Sequence, residues 1–167
     1  MMTSTTLRKR INLLVGFFIS ALAIAGISAI PLRSEINLLN QFLGKGTWLE
    51  QFWPALAAWI SFVHQGLITS FDRYPFIQYG TDWLAFAHIA IAVAFLGVLK
   101  DPVRNIWVVE FGMIACILLI PAAILFGALR GIPPFWTILD CSFGVFGILP
   151  LWLCRSYIIR LESAVRG

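Results

Sequence analysis

A chain of 167 residues that is 60% hydrophobic and 12% charged, with a mean hydropathy of +0.89, lies outside the composition of soluble domains, in which charged residues approach a quarter. Its net charge of +4 does not point to nucleic acid, because the basic residues adjoin apolar runs and build no aromatic-interleaved stripe. The length suits about four helices of roughly 20 residues, each enough to cross a hydrocarbon core near 30 Å.

In chain order, Leu7-Arg8-Lys9-Arg10 precedes an apolar run from Ile11 to Leu32. That run is longer than the ~7–15 apolar residues of a secretion signal, so an uncleaved first span is expected over 11–32. Gly16 and Ser20 share one face of it, and Ala21, Ala25 and Ala29 are spaced for another, leaving room for a second helix to approach. Over 48–71, Phe52, Leu56, Trp59, Ile60, Val63 and Leu67 recur at three- and four-residue spacing, but His64 and Gln65 interrupt the apolar stretch. One amphipathic helix, in-plane or re-entrant, is expected there, with Trp48, Trp53 and Trp59 suited to the headgroup region.

The second span is expected over 83–99, capped by Thr81 or Asp82 and stopped at Lys100-Asp101-Pro102. The third covers 106–129, with a kink expected at Pro121, and ends at Arg130-Gly131-Ile132-Pro133-Pro134. The fourth covers 135–153 and closes with Arg155 and Arg160. No repeat or low-complexity segment interrupts this order. The fold class expected is therefore all-α and polytopic: a four-helix transmembrane bundle plus one extracytoplasmic amphipathic helix, in a single transmembrane domain over 1–167.

Basic residues orient the spans. With four crossings, Arg8, Lys9, Arg10, Lys100, Arg104, Arg155, Arg160 and Arg166 fall on the side of the N-terminus, and Arg33, Lys45, Arg73 and Arg130 fall on the other. This bias of eight to four places both termini in the cytoplasm of a bacterial-type inner membrane, whereas a fifth span would reverse it.

With that topology His88 and Asp140 share a level about 7–9 Å below the outer boundary, where ionisable groups pair, face a bundle interior or line a cavity. Phe143, Gly144 and Gly147 lie on the face of Asp140, and the glycines leave a groove that a ligand or a neighbouring helix could fill. Arg130 and His64 could complete a polar cluster at its mouth. Three chemistries use such groups: a His–Asp proton relay, metal binding by the histidines with an aspartate, and haem ligation by two histidines. Against these stand plainer roles: His88 bonded to a helix carbonyl, Asp140 paired with Arg130, and His64 facing headgroups. Glu110 and Arg155 reach one level near the cytoplasmic side and are expected to form a structural ion pair.

Cys116, Cys141 and Cys154 sit in apolar stretches without metal or redox spacing, and read as structural thiols. No nucleophile elbow, phosphate loop or dinucleotide fingerprint is present. The expectation is a non-catalytic binding or accessory component of a membrane assembly, without metal or cofactor. Its partners would be the lipid bilayer and a second copy or another membrane protein, not nucleic acid. The alternative is a small enzyme or transporter-like protein acting on a lipid or small amphiphile around His88, Asp140 and Arg130.

Overall fold

Proline and glycine punctuate a chain that is otherwise helical. The computed structural model describes residues 3–166, which form α1 (Ser4–Ala29), α2 (Leu32–Leu43), α3 (Trp48–Phe52), α4 (Pro54–Arg73), α5 (Gln78–Lys100), α6 (Ile106–Arg130) and α7 (Pro134–Arg166). A 3₁₀ turn, Pro75–Ile77, leads into α5, and no strand occurs among the described residues.

Pro31 separates α1 from α2 and stands at the N-cap of the latter. The single amphipathic helix expected over 48–71 is instead two helices. Pro54 takes the first position of α4, and its ring holds the preceding Trp53 at φ −143°, ψ 76°, outside helical geometry. Thr47 caps α3 by accepting from the Leu49 N–H at 3.3 Å, while Glu50 Oε2 accepts from the Gly46 N–H at 2.7 Å. The first expected span, 11–32, ends early at Ala29, and Leu32 instead begins α2 with residues 33–43, which were assigned to no element from the sequence.

Neither Thr81 nor Asp82 caps the next helix, because α5 already starts at Gln78, to whose carbonyl Thr81 Oγ1 donates at 2.7 Å. Asn105 closes the α5–α6 turn through Nδ2, which donates to the Gly97 and Asp101 carbonyls at 2.9 Å each. α6 continues through Pro121 and ends at Gly131, whose φ of +67° is the left-handed geometry that favours glycine; the Ile132 N–H then bonds the Gly127 carbonyl at 2.9 Å. α7 passes through Pro150 and outlasts the expected end at Leu153.

Four helical segments among the described residues, Ser4–Ala29, Pro75–Lys100, Ile106–Arg130 and Pro134–Ala164, are long and apolar enough to cross a membrane. Only 11–22% of their most apolar stretches is buried within the protein. Leu13, Phe17, Ile24, Leu118, Phe126, Ile138 and Phe146 are all more than half exposed. In water, leaving each such side chain uncovered would forgo about 1.5–3 kcal/mol, and the patch far exceeds what soluble monomers expose. These are the surfaces of a membrane-embedded protein.

The chain forms two compact units, one of residues 22–90 and the other of the described residues up to Ala21 together with those from Ile91 onward. In the first, Leu49, Ala57 and Ile60 form a small core with Leu39, Leu43 and Leu56, joining α2 and α3 to α4. In the second, Ile11, Val15, Phe95, Val98, Val109, Leu151 and Ile158 are fully buried, and the rings of Phe18 and Phe95 pack 4.8 Å apart. Glycines bring α6 and α7 together: a Cβ at Gly144 would lie 2.6 Å from the Cys116 carbonyl oxygen, and one at Gly147 would lie 2.9 Å from Cys116 Sγ. Gly16, expected to admit a neighbouring helix, has nothing within 4 Å of its Cβ position.

Gly144 and Gly16 should therefore respond oppositely to alanine. Helix propensity favours alanine at either site by up to ~1 kcal/mol, but at Gly144 the added methyl meets backbone and overpacking costs about 1–3 kcal/mol. In thermal unfolding in detergent, Gly144→Ala is expected to be less stable than the parent and Gly16→Ala at least as stable. A shift in the same direction for both would contradict the packing described.

Candidate functional site

Leu119, Ala122, Ala123, Phe126, Gly127 and Arg130 follow one another along α6 at alternating steps of three and one, which aligns them on one helix face. That face, with Ile132 from the turn and Asp140 and Phe143 from α7, lines an open cavity of about 430 Å³. Small residues at 122, 123 and 127 make the trough, and Phe126 and Phe143 give it aromatic walls. The Gly131 turn fixes its rim, since the left-handed residue reverses the chain immediately after Arg130.

Two of the lining residues carry opposite charge. Arg130 is exposed and Asp140 partly buried, and neither side chain makes a hydrogen bond or ion pair among the described residues. The Arg130–Asp140 pair expected as the plain alternative is thus not formed, although both groups face the same trough. Their level can be read from neighbouring contacts. Cys141 Sγ lies 3.9 Å from the Ile120 carbonyl oxygen, and a Cβ at Gly127 would lie 2.7 Å from Thr137 Oγ1. Asp140, between Thr137 and Cys141, therefore lies beside residues 120–127 of α6, about one to two turns inward of Arg130. Gly144, one turn farther along α7, serves the contact with Cys116, so the neighbouring helix takes the space there.

His88 belongs to the unit of residues 22–90, and Asp140 to the other. His88 Nδ1 lies 2.8 Å from the Leu84 carbonyl oxygen, which can only accept, so Nδ1 carries the proton. The residue is half-buried, and its stem passes Gly26 of α1, where a Cβ would lie 3.0 Å from His88 Cβ. His64 does not stand alone on a headgroup-facing surface. Its Nε2 lies 2.8 Å from Asn37 Oδ1, as one rung of a polar ladder between α2 and α4. Ser61 Oγ donates to Asn40 Oδ1 at 2.7 Å and accepts from the Lys45 N–H at 2.8 Å; Arg33 and Asp72 form the ion pair at the other end. Asn37 and Asn40 were missed from the sequence, although Arg33, Asn37 and Asn40 have the four- and three-residue spacing of one helix face.

Glu110 and Arg155 are paired, with Arg155 Nε donating to Glu110 Oε1 at 2.8 Å and joining the start of α6 to α7. The three cysteines are free thiols, and no group of three or more His, Cys, Asp and Glu side chains that could hold a metal occurs among the described residues. Comparisons with protein-family models, curated proteins and solved structures found no match for this chain.

The Glu110–Arg155 contact can be measured by a double-mutant cycle with Glu110→Gln and Arg155→Gln. Both side chains are about two-fifths exposed, so a coupling of up to about 1 kcal/mol is expected in thermal unfolding, the double variant costing less than the two single variants added together. Strict additivity would show that the pair contributes nothing.

Proposed function

We propose that this chain is a non-catalytic binding component of a bacterial-type inner membrane that holds an amphiphile in the groove between α6 and α7. The observation that carries the reading is the joint presence of Arg130 and Asp140, opposite in charge and unpaired, in one apolar trough. Ionisable groups at membrane depth are retained where they face a partner, a ligand or water. An apolar tail against Leu119, Ala123 and Phe126 with a polar head at the two charges satisfies both parts of the groove. His88 Nδ1 donates to the Leu84 carbonyl of its own helix, and no side chain meets the ring to form a His–Asp pair among the described residues.

The same reading gives the membrane disposition. The eight-to-four distribution of basic residues supports cytoplasmic termini, with the α1–α5 connection and the α6–α7 turn on the outer side. Phe42, Trp48, Phe52 and Phe62 of α2, α3 and α4 are well exposed and suit three helices lying in the outer headgroup region, with α2 and α4 held to each other by the polar ladder. A reporter fused after Gly167 is expected to signal from the cytoplasm; an extracytoplasmic signal would reverse the disposition.

Groove occupancy is tested by native mass spectrometry of the full chain released from lipid nanodiscs. Ala123→Trp fills the trough and is expected to remove at least one retained lipid relative to the parent. An unchanged lipid count would rule out the groove as the binding site.

A further inference from the structure

The two charges differ in depth, and that difference specifies the head of the occupant. Arg130 ends α6 at the groove's rim, while Asp140 lies one to two turns inward, beside residues 120–127. A purely anionic head would satisfy the guanidinium and meet the Asp140 carboxylate as a like charge. A purely cationic head would have the converse fault. A zwitterion satisfies both, whereas either single-charge head sets a like charge against one of the groove's two charges and leaves that one unmatched.

The tail end is equally informative. From Leu119 to Arg130 is eleven residues, about 16 Å along the helix axis, close to half of a ~30 Å hydrocarbon core. Leu119 also lies near the middle of α6, which runs from Ile106 to Arg130. The lining therefore covers the depth of one leaflet, which matches an acyl chain rather than a small soluble zwitterion. The charge nearest that chain is the carboxylate, which accepts N–H donors; a trimethylated ammonium has none to offer and is bulkier.

We infer that the groove takes an ethanolamine-type phospholipid, with its phosphate at Arg130, its primary ammonium folded inward to Asp140, and one acyl chain along Leu119, Ala123 and Phe126. This assignment rests on the groove reading above and adds the head group to it. Charge complementarity separates it from two lipids of identical chains: a glycerol phospholipid supplies the phosphate alone, and a choline phospholipid supplies both charges without an N–H donor.

The test uses the full chain in nanodiscs containing equal amounts of dioleoyl ethanolamine, choline and glycerol phospholipids, with retained lipid identified by native mass spectrometry. The ethanolamine lipid is expected to be retained roughly tenfold over either competitor, the span of one charge-assisted hydrogen bond. Asp140→Asn, which preserves side-chain shape, should abolish that preference, and Arg130→Gln should reduce retention of all three lipids, since each carries the phosphate. Free phosphoethanolamine at millimolar concentration should not displace the lipid; displacement would assign the site to the soluble head group and overturn the proposal. Equal retention of all three lipids, or a preference unchanged in Asp140→Asn, would also overturn it. If Ala123→Trp still stripped lipid in that case, the groove would stand and the head-group assignment alone would fall. If Ala123→Trp stripped none, both would fall.

Discussion

The long apolar helices bury at most 22% of their most hydrophobic stretches inside the protein, so lipid rather than a protein core has to take the remainder. The other features follow from that solvent. Helix–helix contact cannot draw much on the hydrophobic effect, because lipid tails are as apolar as leucine, and close packing has to supply the association. Gly144 and Gly147 against Cys116 provide it between α6 and α7, at a separation that a methyl group would disturb. Polar groups must likewise be satisfied locally. Asn105 is bonded to two backbone carbonyls and Glu110 to Arg155. Arg130 and Asp140 depart from that pattern within one trough, which is why they, and not the ion pair, mark the candidate site.

The unit of residues 22–90 obeys a different constraint. α2 is a twelve-residue helix with Arg33, Ser34, Glu35, Asn37, Asn40 and Gln41 among its residues, too short and too polar to persist on its own in water. It is held by apolar contact with α3 and α4 and by a ladder in which Arg33, Asn37 and Asn40 meet Asp72, His64 and Ser61. The ladder fixes the pairing of the two helices and leaves Phe42 and Phe62 exposed.

What could be read from the sequence divides along the same physical lines. The limits of α6 were legible because a sustained apolar run starts at Ile106 and ends before Gly131, whose left-handed conformation stops a helix. The far end of α7 was not, because Arg155 and Arg160 end a stretch suited to hydrocarbon without ending a helix. α2 was missed because its stability lies in tertiary contacts, and the break at Trp53–Pro54 was overridden by a hydrophobic periodicity running across it. The level of Asp140 relative to Arg130 along the two helices can be counted in residues, but whether the two side chains pair depends on side-chain paths that no spacing encodes. The bond of His88 to Leu84 is a local alternative to any longer-range relay, available to a histidine at that spacing in a helix.

The claim on which the functional reading depends is that Arg130 and Asp140 stay apart because the groove between them receives a ligand. An experimental structure of the full chain in lipid nanodiscs tests it most directly. Continuous tail density along Leu119, Ala123 and Phe126, with a head between the two charges, is the expected result. Arg130 folded onto Asp140 in a direct ion pair, over a groove without density, would contradict it.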